Sequence, residues 1–399
     1  MKKKNIIIIG SILFSIIIIF LVFKIYNYLR IKYAKIEVTL VEDLTVEFNE
    51  KKKISDYIIS INGNIISDDI IDTTVVGNKD VTFEFINEDN IKVSYTYQIE
   101  VKDTVEPLIW LGSSYSVPVN SDINLEEKIL CGDNYDNNPN CYIEGDYNLN
   151  EVGSYPLIFK AIDSSGNSEE VPFNLNVYEP KKNTSSNSKK VNTDFNDIVK
   201  KHKTDNTKIG IDVSAWQGDI DFEKIKNAGV EFIMIRVGGT IGTNGEYFLD
   251  KKFIQNIEQA NKYGIEAGIY FYSYANSVES AIKDAKWVLK QIKKYKIDLP
   301  IAFDWEEWSY FNAYNVSFFK LTSIADAFLK TVEDAGYRGM LYSSKAYLEK
   351  IWLDHDYEVW LAHYISKTNY QGNYLMWQLC DNGKIDGING DVDIDIMYN

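Results

Sequence analysis

The sequence is short of cysteine, of histidine and of positive charge, and each shortage removes a class of protein. Cys131, Cys141 and Cys380 are the only cysteines in 399 residues and no C-x-x-C pair occurs, which argues against a structural zinc site. His202, His355 and His363 lie scattered and make no ligand set, so neither metal nor cofactor is expected. With 42 basic against 58 acidic residues the formal charge is −16. Nucleic acid is therefore not the expected partner, because phosphate neutralisation needs clustered Lys and Arg. No G-x-G-x-x-G follows the first strand of the C-terminal half, which leaves a doubly wound open sheet as a second choice there.

What is present is ordinary globular protein, 45% apolar and 25% charged, long enough for two or three domains. It is preceded by MKKK and a run from Ile6 to Phe23 broken only by Gly10, Ser11 and Ser15. A run of about 18 apolar residues can span a bilayer, and no small-x-small cleavage site follows it. Residues 1–30 are thus expected to be a cytoplasmic tip and a transmembrane signal anchor, with residues 6–23 in the membrane. A cleaved signal peptide is the alternative, and either exports the rest of the chain. The expected location is the cell membrane, single-pass, with the C-terminal region outside in the cell wall. In that setting Cys131 and Cys141 could close a small disulfide loop.

Residues 36–102 alternate apolar and polar residues in short runs divided by Asn-Gly and Gly-Asn turns, the pattern of an all-β module. Residues 103–178 repeat it at a fixed offset of 76, with Val76-Gly77, Phe83, Ile86 and Val101 recurring as Val152-Gly153, Phe159, Ile162 and Val177. Two consecutive sandwiches are expected. The second copy resembles bacterial immunoglobulin-like repeats in its opening DTVEP, its Asp133-Asn134 and Asp136-Asn137 turn and its AIDSSGN. The Asp and Asn cluster at 133–140 lacks the alternating ligand pattern of a calcium loop and reads as a solvated turn. Residues 179–207 then read as a flexible linker, rich in Lys, Asn, Ser and Thr. Its lysines invite contact with an anionic wall polymer, against the plainer reading of simple solvation.

From residue 208 to 399, eight short apolar runs (209–213, 232–237, 267–272, 301–303, 339–342, 359–362, 375–379 and 392–396) alternate at first with helical segments at 221–228, 249–263, 277–295 and 314–335. That order predicts a compact parallel (β/α)8-like barrel with reduced late helices. Such a barrel works at the C-terminal ends of its strands. The run LPIAFDWEEW delivers Asp304 and Glu306 there, two apart and so on one face. The same D-x-E spacing at Asp221/Glu223 opens a helix, and at Asp356/Glu358 it precedes a strand, so neither falls on the working face. Asp212 ends the first strand and Asp393 lies on the eighth, its neighbour on closure. Trp216, Tyr270, Tyr272, Trp305, Trp360, Tyr364 and Trp377 fall at or near strand ends, where flat rings suit the faces of sugars. For Trp360 and Trp377 core packing is an equal alternative.

Five blocks carry a resemblance: DVSAWQGDIDFEKIKNAGVEFIMIRVG (212–238), AGIYFYSYA (267–275), LPIAFDWEEW (299–308), VWLAHY (359–364) and MWQLCDNGKIDGINGDVDID (376–395). Together, in order and spacing, they resemble the lysozymes of glycoside hydrolase family 25. The resemblance implies hydrolysis of the β-1,4 bond between N-acetylmuramic acid and N-acetylglucosamine, with peptidoglycan strands as the partner. It makes Glu306 the general acid/base, Asp304 the second carboxylate, Asp212 and Asp393 flanking acids, and Tyr270 and Gln378 groove residues. Two positions depart from the family pattern: Tyr270-Phe271-Tyr272 replaces Tyr-His-Phe, and Asp393-Ile394-Asp395 replaces Asp-Leu-Asn. Physically, a glycosidase needs one carboxyl that keeps a proton and one that stays ionised, and two acids on one face split their affinities by repulsion. The rival reading is a membrane-anchored glycan-binding surface protein with an inactive barrel.

Overall fold

A computed structural model describes residues 2–180, 192–242, 245–306 and 311–398, with the side chains of residues 2–15 and 312 outside the description. The chain divides into two compact units, Met1–Thr104 and Val105–Asn399.

In the first unit a helix runs over Lys2–Lys32. The expected membrane span at 6–23 falls largely on side chains outside the description. Among the described residues no helix is long and apolar enough to cross a membrane. The rest of the unit centres on a hairpin of Gly77–Asn87 and Lys92–Lys102, flanked in one sheet by Thr45–Glu47, parallel to the second arm, and Gly63–Ile65. Strict alternation buries Val81, Phe83 and Phe85 on one face, against Val93, Tyr97, Ile99 and Val101 of the partner strand.

The second β module, in the second unit, repeats this plan at the offset of 76: Gly153–Ile162 pairs with Ser168–Tyr178, flanked by Ser114–Pro118, parallel, and Asn140–Glu144. Phe159 and Val177 are buried where Phe83 and Val101 are buried in the first copy. Cys131 and Cys141 form a disulfide beside this core.

The barrel strands are β1 (Thr207–Val213), β2 (Phe232–Ile241), β3 (Glu266–Tyr272), β4 (Ile301–Asp304), β5 (Gly339–Ser344), β6 (Glu358–Ala362), β7 (Met376–Lys384) and β8 (Val392–Tyr398). They pair in order and close, β8 bonding to both β7 and β1. β1 to β7 are parallel, but β8 is antiparallel to both neighbours, a departure from the all-parallel expectation. The loop from Lys384 to Val392 is too short for a crossover helix, so the chain turns straight back. Helices α1 (Phe222–Asn227), α2 (Phe253–Tyr263), α3 (Val278–Ile292), α4 (Phe318–Asp334) and α5 (Lys345–Lys350) follow β1 to β5. Among the described residues no helix follows β6 or β7. α3 shows why these segments are helical. Ser277 caps its first turn, and Ala281, Asp284, Ala285, Val288 and Ile292 form one buried stripe at helical spacing.

Alternation along the strands sorts the side chains into two layers. Ile209, Ile211, Ile233, Ile235, Ile301, Phe303, Trp377 and Ile394 face outward under the helices. The barrel floor is filled by Phe232, Met234, Met340, Met376 and Met397. Space there is tight: a Cβ at Gly210 would lie 2.5 Å from the Phe232 carbonyl oxygen.

Part of the expected linker is built into the barrel. Residues 181–191 lie outside the description, but Thr193–Asp194 adds a short parallel strand to β7 and Phe195–His202 is a helix with Phe195 and Ile198 buried in the barrel core. Three of the linker's seven lysines, and Lys208 directly after it, are occupied within the domain. Lys200, Lys203 and Lys208 pair with Asp197, Glu231 and Glu266, and Lys201 donates to the Ser366 carbonyl. The other four, Lys181, Lys182, Lys189 and Lys190, fall on residues outside the description. Phe195→Ala is expected to destabilise the C-terminal unit by about 3–5 kcal/mol, the cost of emptying a packed aromatic site. Denaturant unfolding checks this, and an unchanged midpoint would mean that the segment does not belong to the barrel core.

Candidate active site

The inward positions change from apolar to polar on going from the barrel floor to its mouth. β1 passes from Gly210 to Asp212, β2 from Met234 to Arg236, β3 from Gly268 to Tyr270, β4 from Ala302 to Asp304, β5 from Met340 to Tyr342 and β7 from Met376 to Gln378. β8 runs the other way, so its early residue Asp393 lies at the mouth, opposite Asp212, and Asp395 lies one layer deeper. The result is a cleft of about 380 Å³ lined by Asp212, Trp216, Arg236, Tyr270, Tyr272, Asp304, Glu306, Tyr342, Trp360, Tyr364, Gln378 and Asp393.

Ten of these twelve are residues the sequence singles out. Trp305 and Trp377 are not among them. Each neighbours a cleft residue, Asp304 and Gln378, so alternation turns it outward into the core under the helices. Trp305 packs on Phe311, Tyr347 and Trp352, and Trp377 donates its Nε1 hydrogen to the His363 carbonyl. Arg236 and Tyr342 are the two lining residues not expected from the sequence, although Tyr342 closes the apolar run 339–342. Parity would have found both, since Arg236 is the one charge in the apolar run FIMIRVG.

Hydrogen bonds fix the polar layer. Gln378 donates from Nε2 to Asp212 Oδ2 at 2.8 Å, while its Oε1 accepts from Tyr342 at 2.8 Å and Tyr364 at 2.9 Å. Trp360 donates from Nε1 to Asp395 Oδ1 at 2.8 Å, and its ring meets Tyr270 and Tyr342 edge-on. Arg236 is held at the wall by Asp250, which it meets at 2.7 and 2.8 Å. Asp304 is buried, and its Oδ1 has no hydrogen-bond partner among the described residues. Glu306 and Trp216 are exposed, Trp216 at 86%.

Crowded acids behind a dry wall resist ionisation. Burial, then the charge of Asp395, pushes the Asp212 carboxyl well above its usual range, with the Gln378 hydrogen bond opposing. Burial raises Asp304 likewise, reinforced by Glu306 and Asp212 and opposed by Arg236. Asp393 is pushed up to about 9 and Asp395 to about 8, burial again leading. Tyr270 and Tyr342, raised by burial, stay as hydroxyl donors. The cleft can therefore hold several protons on carboxyl groups near neutrality.

An α/β barrel with an aromatic-walled nest of carboxyls at its mouth holds the parts a glycoside hydrolase needs. Residues 211–388 match the model of glycosyl hydrolases family 25, and this stretch is a domain of that family. An uncharacterized protein, YegX, of Escherichia coli K12 is 29% identical over 193 residues, 47% of this chain and 68% of its own. The autolytic lysozyme of Clostridium acetobutylicum is 27% identical over 189 residues, 47% of this chain and 54% of its own. Among solved structures, the modular autolysin LytC of Streptococcus pneumoniae is 27% identical, with 60% of this chain and 56% of that one covered and a TM-score of 0.44. This chain thus spans little more than half the length of the last two.

The two raised acids of β8 set a pH dependence. An aspartate in an unfolded chain loses its proton near pH 4. The folded state keeps protons on Asp395 and Asp393 up to about 8 and 9, so it binds more protons than the unfolded state above pH 4. Stability is then fully present below about pH 4 and is lost as pH rises through 8 to 9. Thermal melts should show the C-terminal unit losing stability from pH 5 to pH 9. Asp395→Asn, which keeps an acceptor for Trp360, should flatten that fall, and a slope equal to wild type would contradict the assignment.

Proposed function

We propose that this chain is an exported peptidoglycan hydrolase that cleaves the β-1,4 bond between N-acetylmuramic acid and N-acetylglucosamine in remodelling of the cell wall. The observation that carries this reading is the convergence of Asp212, Asp304, Glu306 and Asp393 in one aromatic-lined cleft of a family 25 domain. The lysozyme name of the Clostridium relative supports the choice of bond.

Glu306, exposed at the rim, donates a proton to the glycosidic oxygen as the bond to the anomeric carbon breaks. The acetamido oxygen of the same sugar bonds to that carbon from the opposite face. Asp304, whose Oδ1 is an open acceptor, accepts a hydrogen bond from the acetamide N–H and so orients that group for attack. Water then attacks the anomeric carbon and gives its proton to Glu306, restoring the acid and the acetamido group with retained configuration. Direct attack by Asp304 would retain configuration too, but its burial disfavours the charged form needed for attack. Trp216, Tyr272 and Tyr364 offer ring faces to neighbouring sugars.

The same reading includes a membrane anchor at residues 6–23. Every residue from Ile16 to Phe23 is exposed on the Lys2–Lys32 helix, between 44% and 68%, an apolar surface that a bilayer would cover. The two β modules, read as immunoglobulin-like, would hold the enzyme within reach of the wall, and Lys181, Lys182, Lys189 and Lys190 would meet an anionic wall polymer. Membranes from cells expressing the full chain should release reducing ends from purified peptidoglycan, and Glu306→Gln should reduce the rate at least about 100-fold, the scale of general acid/base catalysis. Equal release by both would remove Glu306 from its role, and activity confined to the culture medium would remove the anchor.

A further inference from the structure

The second β module meets the barrel where the chain around Glu306 is held. Its loop between the disulfide partners Cys131 and Cys141 lies over the start of α4. There the Phe318 N–H donates to the Asp133 carbonyl at 2.8 Å, the Phe319 N–H to the Asn134 carbonyl at 3.2 Å, and the Ser317 N–H to Asn137 Oδ1 at 3.1 Å. The first N–H groups of a helix have no partner inside it, so the module supplies what α4 lacks. The fit is close: a Cβ at Gly132 would lie 2.6 Å from the Phe311 ring and 2.8 Å from that of Phe318. Leu130 is part of the barrel's own core, and Leu108 and Trp110 pack against it.

A second contact leads to the acid itself. Trp110 meets Tyr347 edge-on at 5.4 Å, with the Lys350 ammonium 5.6 Å from the Trp110 ring. Tyr347 donates its hydroxyl to the Glu306 carbonyl oxygen at 3.3 Å, and its ring packs 6.1 Å from that of Trp305. Trp305 in turn packs on Phe311, whose ring lies tilted against that of Phe318. The two described flanks of Glu306, at Trp305 and Phe311, are thus both braced by side chains that the module holds.

We propose that residues 105–178 belong to the catalytic apparatus: Trp110 and the disulfide-closed loop Cys131–Cys141 are positioning elements that fix the backbone carrying Glu306. This rests on the reading of Glu306 as the proton donor. Glu306 is exposed and stands just past the end of β4, so its placement depends on what braces its neighbours. Displacement of a reacting group by about 1 Å can cost on the order of 100-fold in rate.

The test compares full-length wild type, Trp110→Ala, Trp110→Phe, Asn137→Ala, the double variant Cys131→Ser/Cys141→Ser and Glu306→Gln, by steady-state kinetics on soluble glycan fragments well below the melting temperature. Trp110→Ala is expected to lower kcat about tenfold with KM changed less than about twofold, and Trp110→Phe to recover most of the loss. Asn137→Ala, at a half-buried loop position, and the double cysteine variant should move kcat in the same direction. Asn137→Ala also serves if Trp110→Ala fails to fold. Wild-type kcat in Trp110→Ala and Asn137→Ala beside an inactive Glu306→Gln overturns the proposal, even if their melting temperatures fall. An active Glu306→Gln removes the reading beneath it.

Discussion

Too many carboxyl groups for the available positive charge is the constraint on which the rest of the site depends. Asp212, Asp304, Glu306 and Asp393 line one cleft whose sole cation among the described residues is Arg236, and that guanidinium is already paired with Asp250. Asp395 adds another acid beneath them. Such a cluster persists in a folded protein only by keeping protons, and retained protons are what a glycosidase must deliver. The surroundings are arranged accordingly. Gln378 is fixed by two tyrosine hydroxyls so that it offers its amide hydrogen to Asp212, and Trp360 offers its own to Asp395. The antiparallel last strand completes the cluster, because it lets one segment place Asp393 at the mouth and Asp395 beneath it.

Much of this was legible in the sequence. The eight strands stand out as short apolar runs, and the early helices carry caps and buried stripes that leave little choice of state. LPIAFDWEEW could be placed on the working face because strand alternation and barrel polarity are geometric rules. The direction of the last strand was harder to read, since an apolar alternating run looks the same in either direction. Trp305 is expected among the groove rings and Trp377 equally in groove or core, because aromatics at strand ends can serve either layer. Their neighbours Asp304 and Gln378 decide the matter once parity is applied to each strand. Arg236 escaped because a lone base inside an apolar run draws no notice, and Tyr342 because a tyrosine that closes a short apolar run looks like core. The ordered stretch from Thr193 to His202 escaped for a different reason: Phe195 and Ile198 are its main anchors, and composition averages them away.

The arrangement also changes what counts as the catalytic unit. The second β module shares its core with the barrel through Leu130, Leu108 and Trp110, and its disulfide loop completes the start of α4. The first module repeats the same sheet plan within the separate unit that ends at Thr104. Trp110 and the Cys131–Cys141 loop, through which the second copy meets the barrel, have no counterpart in the sequence of the first, where Ala34, Ser55 and Ile65 stand at the offset of 76.

The central claim is that the carboxyl cluster cuts one particular glycosidic bond. Digestion of purified peptidoglycan by the wild-type chain, borohydride reduction of the new ends and analysis of the reduced sugars test it most directly. The account predicts muramitol as the new reduced end, whereas glucosaminitol in its place would contradict it.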